Sequence, residues 1–519
     1  MLVMCFVVSG SMSFSNEMSE RAAKKGKVRT FGKGELKVIE GIPFLKLSGS
    51  YYEMGEQYGT LLKEEFQKVY NELIPFKSRW LPELPDSILE KLEKITPVSI
   101  IQQLKGMSAG SGLPYQDLLL GAYFGVLERG GCSSILIRLK EKKSETRLLH
   151  GRNFDYGKGL GKYPVVIEYQ PEKGLKYLTI GTIASASLAE GMNEKGITVS
   201  ENLGRGDRKD NDIHNPPADH KLKEILSSAS FLKEADKMMK GFTSDVGNIL
   251  TVGSGFENDA IIYDVYYDNL KKNQFNGQSW LFATSGYLNK DLNPPKDCPR
   301  YQIIDKHMKS GKINGVDGLI DVLSDPGSPY GVNNPSTIHS VVFDPQNKIV
   351  YMAFHTKFAA WSQWLKLDWE KDAVTVYRNA QVDKLENTDS VELTEVHIIG
   401  AYWQRDPRIP RGPILKNLHF FISVREWLKE QNAQQLYDFS ALAAREITLK
   451  AEGHPDIEAV ITKGTIAMSN IRGYWFTINE EDLNKMVPDT PYTIHIDNIS
   501  AIYRWIVEDG VTLTRPEDK

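Results

Sequence analysis

The chain has 519 residues, enough for two or three domains of about 100–200 residues each. Hydrophobic residues make up 41% and charged residues 25%, the balance of a soluble globular protein. The formal net charge of −4, with lysines and arginines dispersed, gives no electrostatic case for nucleic acid, and no apolar segment approaches the ~20 residues of a membrane-spanning helix.

The chain opens on the apolar run Leu2-Val3-Met4-Cys5-Phe6-Val7-Val8, followed by Ser9, Gly10 and Ser11. This reads as the tail of a secretory signal peptide without its basic n-region and predicts export; the alternative is a frayed terminus on a cytoplasmic protein. Residues 14–34 read as a polar, basic linker, so 1–34 is set apart from the folded part. Val38-Ile39 and Pro43–Leu47 read as short strands. Ser50-Tyr51-Tyr52-Glu53 is a capping-box pattern, and Met54, Tyr58, Leu61, Leu62, Phe66 and Val69 follow at helical spacing. Further helical patterns cover about 87–108 and 115–127, which makes 35–131 a mostly helical segment.

After residue 131 the period changes. Ser134–Leu139, Arg147–Gly151, Pro164–Tyr169, Tyr177–Ile180 and Ile197–Ser200 are strand-like runs separated by glycine-bearing turns. A helical stretch at about 219–241 is followed by strands at Ile249–Val252, Ala260–Tyr266 and Ser279–Ala283, helices at about 299–310 and 316–324, and a hairpin from 338–343 to 348–354. Strands in blocks, then helices, then strands again, point to sheets layered with helices rather than alternating βαβ units. Past residue 384 the prolines and glycine of Arg408-Ile409-Pro410-Arg411-Gly412-Pro413 break the pattern. Helices are expected near 415–432 and 434–452, giving a mixed α/β extension over 385–519.

Three cysteines, Cys5, Cys132 and Cys298, make no disulfide framework. A lone mid-chain cysteine is most often a buried structural thiol. Cys132 differs in following Gly130-Gly131 and heading a strand, with Ser133 and Ser134 as nearby donors. If the Gly131–Cys132 bond were cut, the new α-amino group, with an ordinary pKa of about 7.7–8.0, could take the thiol proton within one residue. Gly131 tolerates the strained backbone such a cleavage needs. At the end of the next strand lie Arg152 and Asp155: a carboxylate to orient the amine and a guanidinium to hold the thiolate. An ordinary surface ion pair is the alternative. Asn202 sits at a strand end, where its amide can serve an oxyanion or simply a turn. The ten histidines form no metal pattern; His339 and His355 read as packing or surface residues, and Trp361 and Trp364 as core or cleft lining.

Gly131-Cys132-Ser133-Ser134, Gly151-Arg152-Asn153-Phe154-Asp155-Tyr156 and Glu190-Gly191-Met192-Asn193-Glu194-Lys195-Gly196-Ile197, in that order and spacing, resemble the cysteine N-terminal-nucleophile (Ntn) hydrolases. The nearest groups are the acyl-coenzyme A:6-aminopenicillanate acyltransferase-like family, penicillin V acylases and bile salt hydrolases. The Gly49–Gly55 opening resembles the acyltransferase-like branch, and the likeness covers about 35–360. The resemblance implies an α+β fold, a four-layer αββα sandwich, with self-cleavage before Cys132 and amide-bond acyl chemistry. It casts Cys132 as nucleophile, Arg152 and Asp155 as its partners, Asn202 as an oxyanion contributor and Arg300 as the family's later arginine. The family's asparagine after a threonine at a mid-domain strand end is replaced here by Ser285, after Thr284; Asn289 is a nearby substitute. Losing one oxyanion donor costs about 10²–10³ in rate.

The expectation is therefore an Ntn-hydrolase core over 132–384, preceded by 35–131 as the α chain after cleavage. It is expected to act on a linear amide or acyl thioester through a Cys132 thioester, with no cofactor or metal and no membrane span. The two chains stay associated. The alternative, motivated by Ser285, is a weakened Ntn-fold protein that binds small molecules.

Overall fold

The structure is a computed structural model that describes residues 28–80, 86–123, 131–140, 146–156, 159–186, 190–204, 213–286, 288, 298–327, 331–334 and 336–386. Beyond these it describes 395–403, 418–423, 446–468, 471–478, 485–487, 490–496, 504–507 and 512–514. The expected export segment, Cys5, Gly130 and Asn289 lie outside the described residues.

The N-terminal part opens with three strands, β1 (Arg29–Phe31), β2 (Gly34–Ile39) and β3 (Ile42–Gly49), and reaches helix α1 (Tyr51–Leu61) at the expected capping box. The Ser50 backbone N–H donates to Glu53 Oε2 (2.7 Å), and the Glu53 N–H donates to Ser50 Oγ (3.3 Å). Helices α2 (Lys63–Trp80), α3 (Asp86–Ile95), α4 (Val98–Ser111) and α5 (Tyr115–Ala122) follow. The helix expected over 87–108 is two helices, because Pro97 cannot continue α3 and instead starts α4. Helices α1 and α4 meet backbone to backbone: a Cβ on Gly55 would lie 2.1 Å from the Gln103 carbonyl oxygen, and one on Gly106 2.0 Å from that of Tyr52.

The strand-rich region then gives β4 (Gly131–Lys140), β5 (Thr146–Asp155), β6 (Pro164–Pro171), β7 (Tyr177–Thr182), β8 (Glu190–Asn193) and β9 (Ile197–Leu203). Helices α6 (Ala218–Ser228) and α7 (Leu232–Met239) precede β10 (Asn248–Ser254), β11 (Asp259–Tyr266), β12 (Asn269–Gln274) and β13 (Trp280–Ala283). Helices α8 (Pro299–Ser310) and α9 (Gly315–Leu323) lead to β14 (Thr337–Asp344), β15 (Ile349–Phe354), β16 (Trp364–Asp368) and β17 (Ala373–Arg378). The first sheet has the order β1-β2-β3-β6-β7-β8-β9-β10-β11-β12 and the second β13-β4-β5-β14-β15-β16-β17.

Burial orders these parts into four layers, α, β, β, α, as the resemblance implies. Leu104, Met54 and Tyr58 from the early helices and Leu222 and Ile225 from α6 pack on Leu45, Ile167 and Val199 of the first sheet. Between the sheets, Val166, Leu178 and Met192 face Val341, Phe343 and Met352, while Leu136 and Leu148 face Ile249 and Ile262. On the outer face of the second sheet, Ile135, Ile137 and Leu149 pack on Ile304, Leu319 and Leu323 of α8 and α9. Each fully buried leucine or isoleucine contributes roughly 1.5–3 kcal/mol. Trp361 and Trp364 are buried, and their indole N–H groups donate to the carbonyls of Ser324 (2.9 Å) and Ala360 (2.9 Å).

The segment before Cys132 also carries the strands expected near Val38-Ile39 and Pro43–Leu47. It supplies three strands of the first sheet, and β3 joins β6 in parallel, Leu45 opposite Ile167. Among the described residues, those up to 286, Arg300–Asp325 and Val332–Gln381 form one compact unit; Val382–Lys519 with Pro326–Gly331 belong to a second. In the second unit the described strands make one sheet. Two of them correct the expected helices: Leu418–Ser423 falls inside 415–432 and Glu446–Lys450 inside 434–452. Both segments find strand partners, Glu395–Trp403 for the first and Ile457–Met468 for the second, and strand propensity follows such context. Among the described residues, no helix is long and apolar enough to cross a membrane.

Candidate active site at the head of β4

Strand β4 runs antiparallel to β5, with Gly131 opposite Asp155, Cys132 opposite Phe154 and Ser134 opposite Arg152. Alternation therefore turns Cys132, Ser134 and Arg152 toward the first sheet, and Asp155, at the end of β5, toward the α8–α9 layer. The i, i+3 spacing of Arg152 and Asp155 thus serves two sides of one strand pair.

On the outer side the residues converge on Arg300, the second residue of α8. Its Nη1 donates to Asp155 Oδ2 (2.8 Å) and to the Cys132 carbonyl (3.2 Å), and its Nη2 donates to Ser285 Oγ (2.9 Å). Strand β13 pairs with β4 with Ala283 opposite Ser134, so two further residues along this register bring Ser285 level with Cys132. The Asp155 carboxylate also accepts from Asn334 Nδ2 (2.8 Å) and Thr337 Oγ1 (2.7 Å).

On the inner side the residues converge on Arg152, which is fully buried. Its Nε donates to Glu190 Oε2 (2.8 Å), Nη1 to Ser134 Oγ (3.3 Å) and to Asn202 Oδ1, and Nη2 to the Glu201 carbonyl. Glu190 comes from β8 in the opposite sheet, and its other oxygen meets His339 Nε2 from β14. Burial opposes ionisation of Glu190, but His339 and Arg152 more than offset it, and its carboxyl lies below the ordinary range. His150 hydrogen-bonds Thr198 Oγ1 (3.0 Å) and Ser200 Oγ (3.1 Å); burial, with Arg152 adding to it, pushes His150 down to about 3.

Asn202 is fully engaged in this inner group. Its Oδ1 accepts from Ser134 Oγ (2.8 Å) and Arg152, and its Nδ2 donates to the carbonyls of Ala283 (3.2 Å) and Thr284 (3.3 Å). The amide donates to two carbonyls just before Ser285, and an oxyanion held by Asn202 would have to displace one of them. Cys132 is 3% exposed. Burial pushes its thiol up; Arg152 opposes this, Asp155 adds to it, and the Asp155 backbone donor and Arg300 oppose it.

Of the six residues singled out from sequence, Asp155, Ser285 and Arg300 meet at the Cys132 carbonyl on one side, while the Cys132 side chain takes the face of Arg152 and Asn202, which join through Ser134. Sequence reading missed Glu190, His339, Asn334 and Thr337. Glu190 carried one signal: it stands on the interior-facing phase of β8 with Met192, where a charge demands a buried partner. The Gly-Met-Asn-Glu-Lys-Gly turn itself has a structural purpose. Asn193 donates to the Leu226 (3.0 Å) and Ala229 (2.8 Å) carbonyls and accepts from the Lys195 (3.0 Å) and Ile197 (2.9 Å) N–H groups, and Gly196 takes φ +77°. Among the described residues no cluster of histidine, cysteine and carboxylate could hold a metal ion.

No protein-family model matches the chain. It is 26% identical over 365 residues to protein dcd1B of Dictyostelium discoideum, over 61% of this chain and 68% of that one. Among solved structures it is similar to a Caenorhabditis elegans N-acylethanolamine-hydrolyzing acid amidase (NAAA) ortholog, with 17% identity and a TM-score of 0.34, over 41% of this chain and 93% of that one. It is also similar to penicillin V acylase from Agrobacterium tumefaciens, with 14% identity and a TM-score of 0.32, over 48% of this chain and 96% of that one.

Proposed function

We propose that the protein is a self-processing cysteine Ntn amidohydrolase or acyltransferase acting on a linear amide or acyl thioester. The observation that carries this reading is the convergence of Arg300 on Asp155, the Cys132 carbonyl and Ser285 at the head of β4. Together with the sequence motifs, it supplies a nucleophile, a carboxylate for its amine and a cationic centre in one buried place.

In processing, Cys132 Sγ attacks the Gly131 carbonyl carbon, the C–N bond to Cys132 breaks, and water hydrolyses the resulting thioester to leave a Gly131 carboxylate and a free Cys132 amine. In turnover that amine takes the thiol proton, the thiolate adds to the substrate carbonyl, and the oxyanion forms near Ser285. The Ser285 hydroxyl accepts from Arg300 and so keeps its own proton to donate. Collapse expels the leaving group, which takes the proton from the Cys132 ammonium. Water or an acceptor amine then resolves the thioester.

Intact-mass analysis of the purified protein tests this: two chains parting at Gly131–Cys132, and an acyl adduct on the Cys132 chain after incubation with a thiol-reactive acyl analogue. A single chain that never acquires the adduct overturns it. That result would favour a second reading, a small-molecule binding protein on the same scaffold. Its supporting observations are the near-complete burial of Cys132 and Ser285 in the asparagine position.

A further inference from the structure

Arg300 pairs with Asp155, yet two uncharged side chains also grip this carboxylate. Thr337 Oγ1 donates to Oδ1 (2.7 Å), and Asn334 Nδ2 donates to Oδ2 (2.8 Å) beside Arg300 Nη1. Both come from the turn that enters β14, and both are buried. The turn is preset. The Asn334 N–H donates to Thr337 Oγ1 (3.0 Å), so the threonine hydroxyl proton is left for Asp155. Asn334 Oδ1 accepts from the Ser336 N–H (2.9 Å), which fixes the amide face that Nδ2 presents. The Asn334 carbonyl accepts from the N–H groups of Thr337 (2.9 Å) and Phe358 (3.1 Å).

The strand register serves the same end. Thr337 pairs with Asp155, His339 pairs with Phe154, and the ladder shifts between them, so one extra residue of β14 is accommodated there. Such a bulge re-aims the side chain beside it. Asp155 is thereby flanked by Thr337 on one neighbouring strand and by Gly131, the residue before the nucleophile, on the other. Neutral donors add little charge compensation, but two of them on different oxygens fix the plane of a carboxylate.

We propose that Asn334 and Thr337 are positioning residues that hold the Asp155 carboxylate beside Gly131, first while the Gly131–Cys132 bond is cut and then for the α-amino group Cys132 acquires on processing. This rests on the proposed function. A fixed carboxylate accepts one amine hydrogen and leaves the amine lone pair facing the thiol; a carboxylate free to rotate does not.

The test uses the full-length protein, with processing followed by intact mass, Cys132 alkylation by iodoacetamide followed against pH, and the thermal midpoint recorded alongside. Thr337→Val keeps the shape and removes the donor. It is expected to slow processing about tenfold or more, the usual scale for a lost positioned group, and to displace the alkylation–pH profile. Thr337→Ser is expected to restore both. Asn334→Asp, of equal size, replaces a donor with a second carboxylate and is expected to slow processing further at neutral pH. If Thr337→Val and Asn334→Asp process and alkylate like wild type while only the thermal midpoint falls, the residues are structural and the proposal is overturned. If Thr337→Val fails to fold, Thr337→Ser and Asn334→Asp decide it by the same readouts. A wild-type chain that neither splits nor alkylates sinks the underlying function instead.

Discussion

Arg300 and Asp155 form a buried ion pair at 2.8 Å between the start of α8 and the end of β5, and the same guanidinium reaches the Cys132 carbonyl and Ser285. The charge of Asp155 is met from the helical layer, which leaves Arg152, on the inner face, to a different carboxylate. The two arginines of the site are therefore not interchangeable.

Cys132→Ala is expected to remain a single chain under conditions where wild type separates after Gly131. Mass spectrometry of the two proteins expressed in parallel decides this; an alanine variant that still splits at the same bond would show that the thiol does not cut it.

Ser285→Ala is expected to lower turnover by about 10²–10³, the scale for a lost oxyanion donor. Ser285→Asn is expected to retain activity, with the longer amide reaching the same oxygen. The comparison is of kcat for processed proteins on one amide substrate. Equal kcat for Ser285→Ala and wild type would remove Ser285 from the mechanism.

Arg152→Met should destabilise strongly, by about 3–5 kcal/mol, because buried Glu190 loses its guanidinium partner and keeps only His339. Adding Glu190→Gln to that variant should recover part of the loss, since the uncompensated charge goes with it. Urea denaturation of the two single variants and the double variant closes the cycle; simple additivity would mean that the pair is not coupled.

His150 gives a pH dependence with a definite sign. Its folded pKa, about 3, lies below the unfolded value of 6.5, so the unfolded chain binds the proton first. The stability it contributes is present above about 6.5 and is lost as pH falls toward about 3, with a slope of about 1.4 kcal/mol per pH unit for one group. His150→Gln should flatten that acid slope, read from denaturation midpoints at pH 7.5 and pH 4.5. An unchanged slope would assign the acid sensitivity elsewhere.

Gly106→Ala is expected to cost roughly 1–3 kcal/mol or more, as overpacking does, because its Cβ would sit 2.0 Å from the Tyr52 carbonyl oxygen and α1 cannot yield without leaving the first sheet. Gly112, with no atom within 4 Å of an added Cβ but φ +76°, supplies the contrast: backbone strain without a clash. A thermal shift for Gly106→Ala no larger than for an exposed alanine substitution would contradict the close packing.

Periodicity carried most of the core. Ile135, Ile137 and Leu149 against Leu136 and Leu148 sort by alternation alone into outer and inner faces, and the observed clusters follow. Strands without a hydrophobic signature were not legible. β12, Asn269–Gln274, is exposed and polar, and it exists because β11 offers it an edge. Leu418–Ser423 failed in the opposite sense: an apolar run suits a helix or a strand, and the neighbouring strands chose.

At the site, the local chemistry is written in nearby residues: a thiol after glycine at a strand head, an arginine and an aspartate three apart at the end of the next strand, and a capping box at Ser50. These are consequences of nearest-neighbour geometry and of the two-residue strand period. Which partner each group has follows from the folded arrangement. That Arg300 neutralises Asp155, that Glu190 pairs with both Arg152 and His339, that Asn202 spends its amide on the Ala283 and Thr284 carbonyls, and that Asn334 and Thr337 grip Asp155 all depend on sheet register and helix docking. Those are set by the burial of apolar faces distant in sequence, and a buried charge takes whichever partner that packing brings within reach.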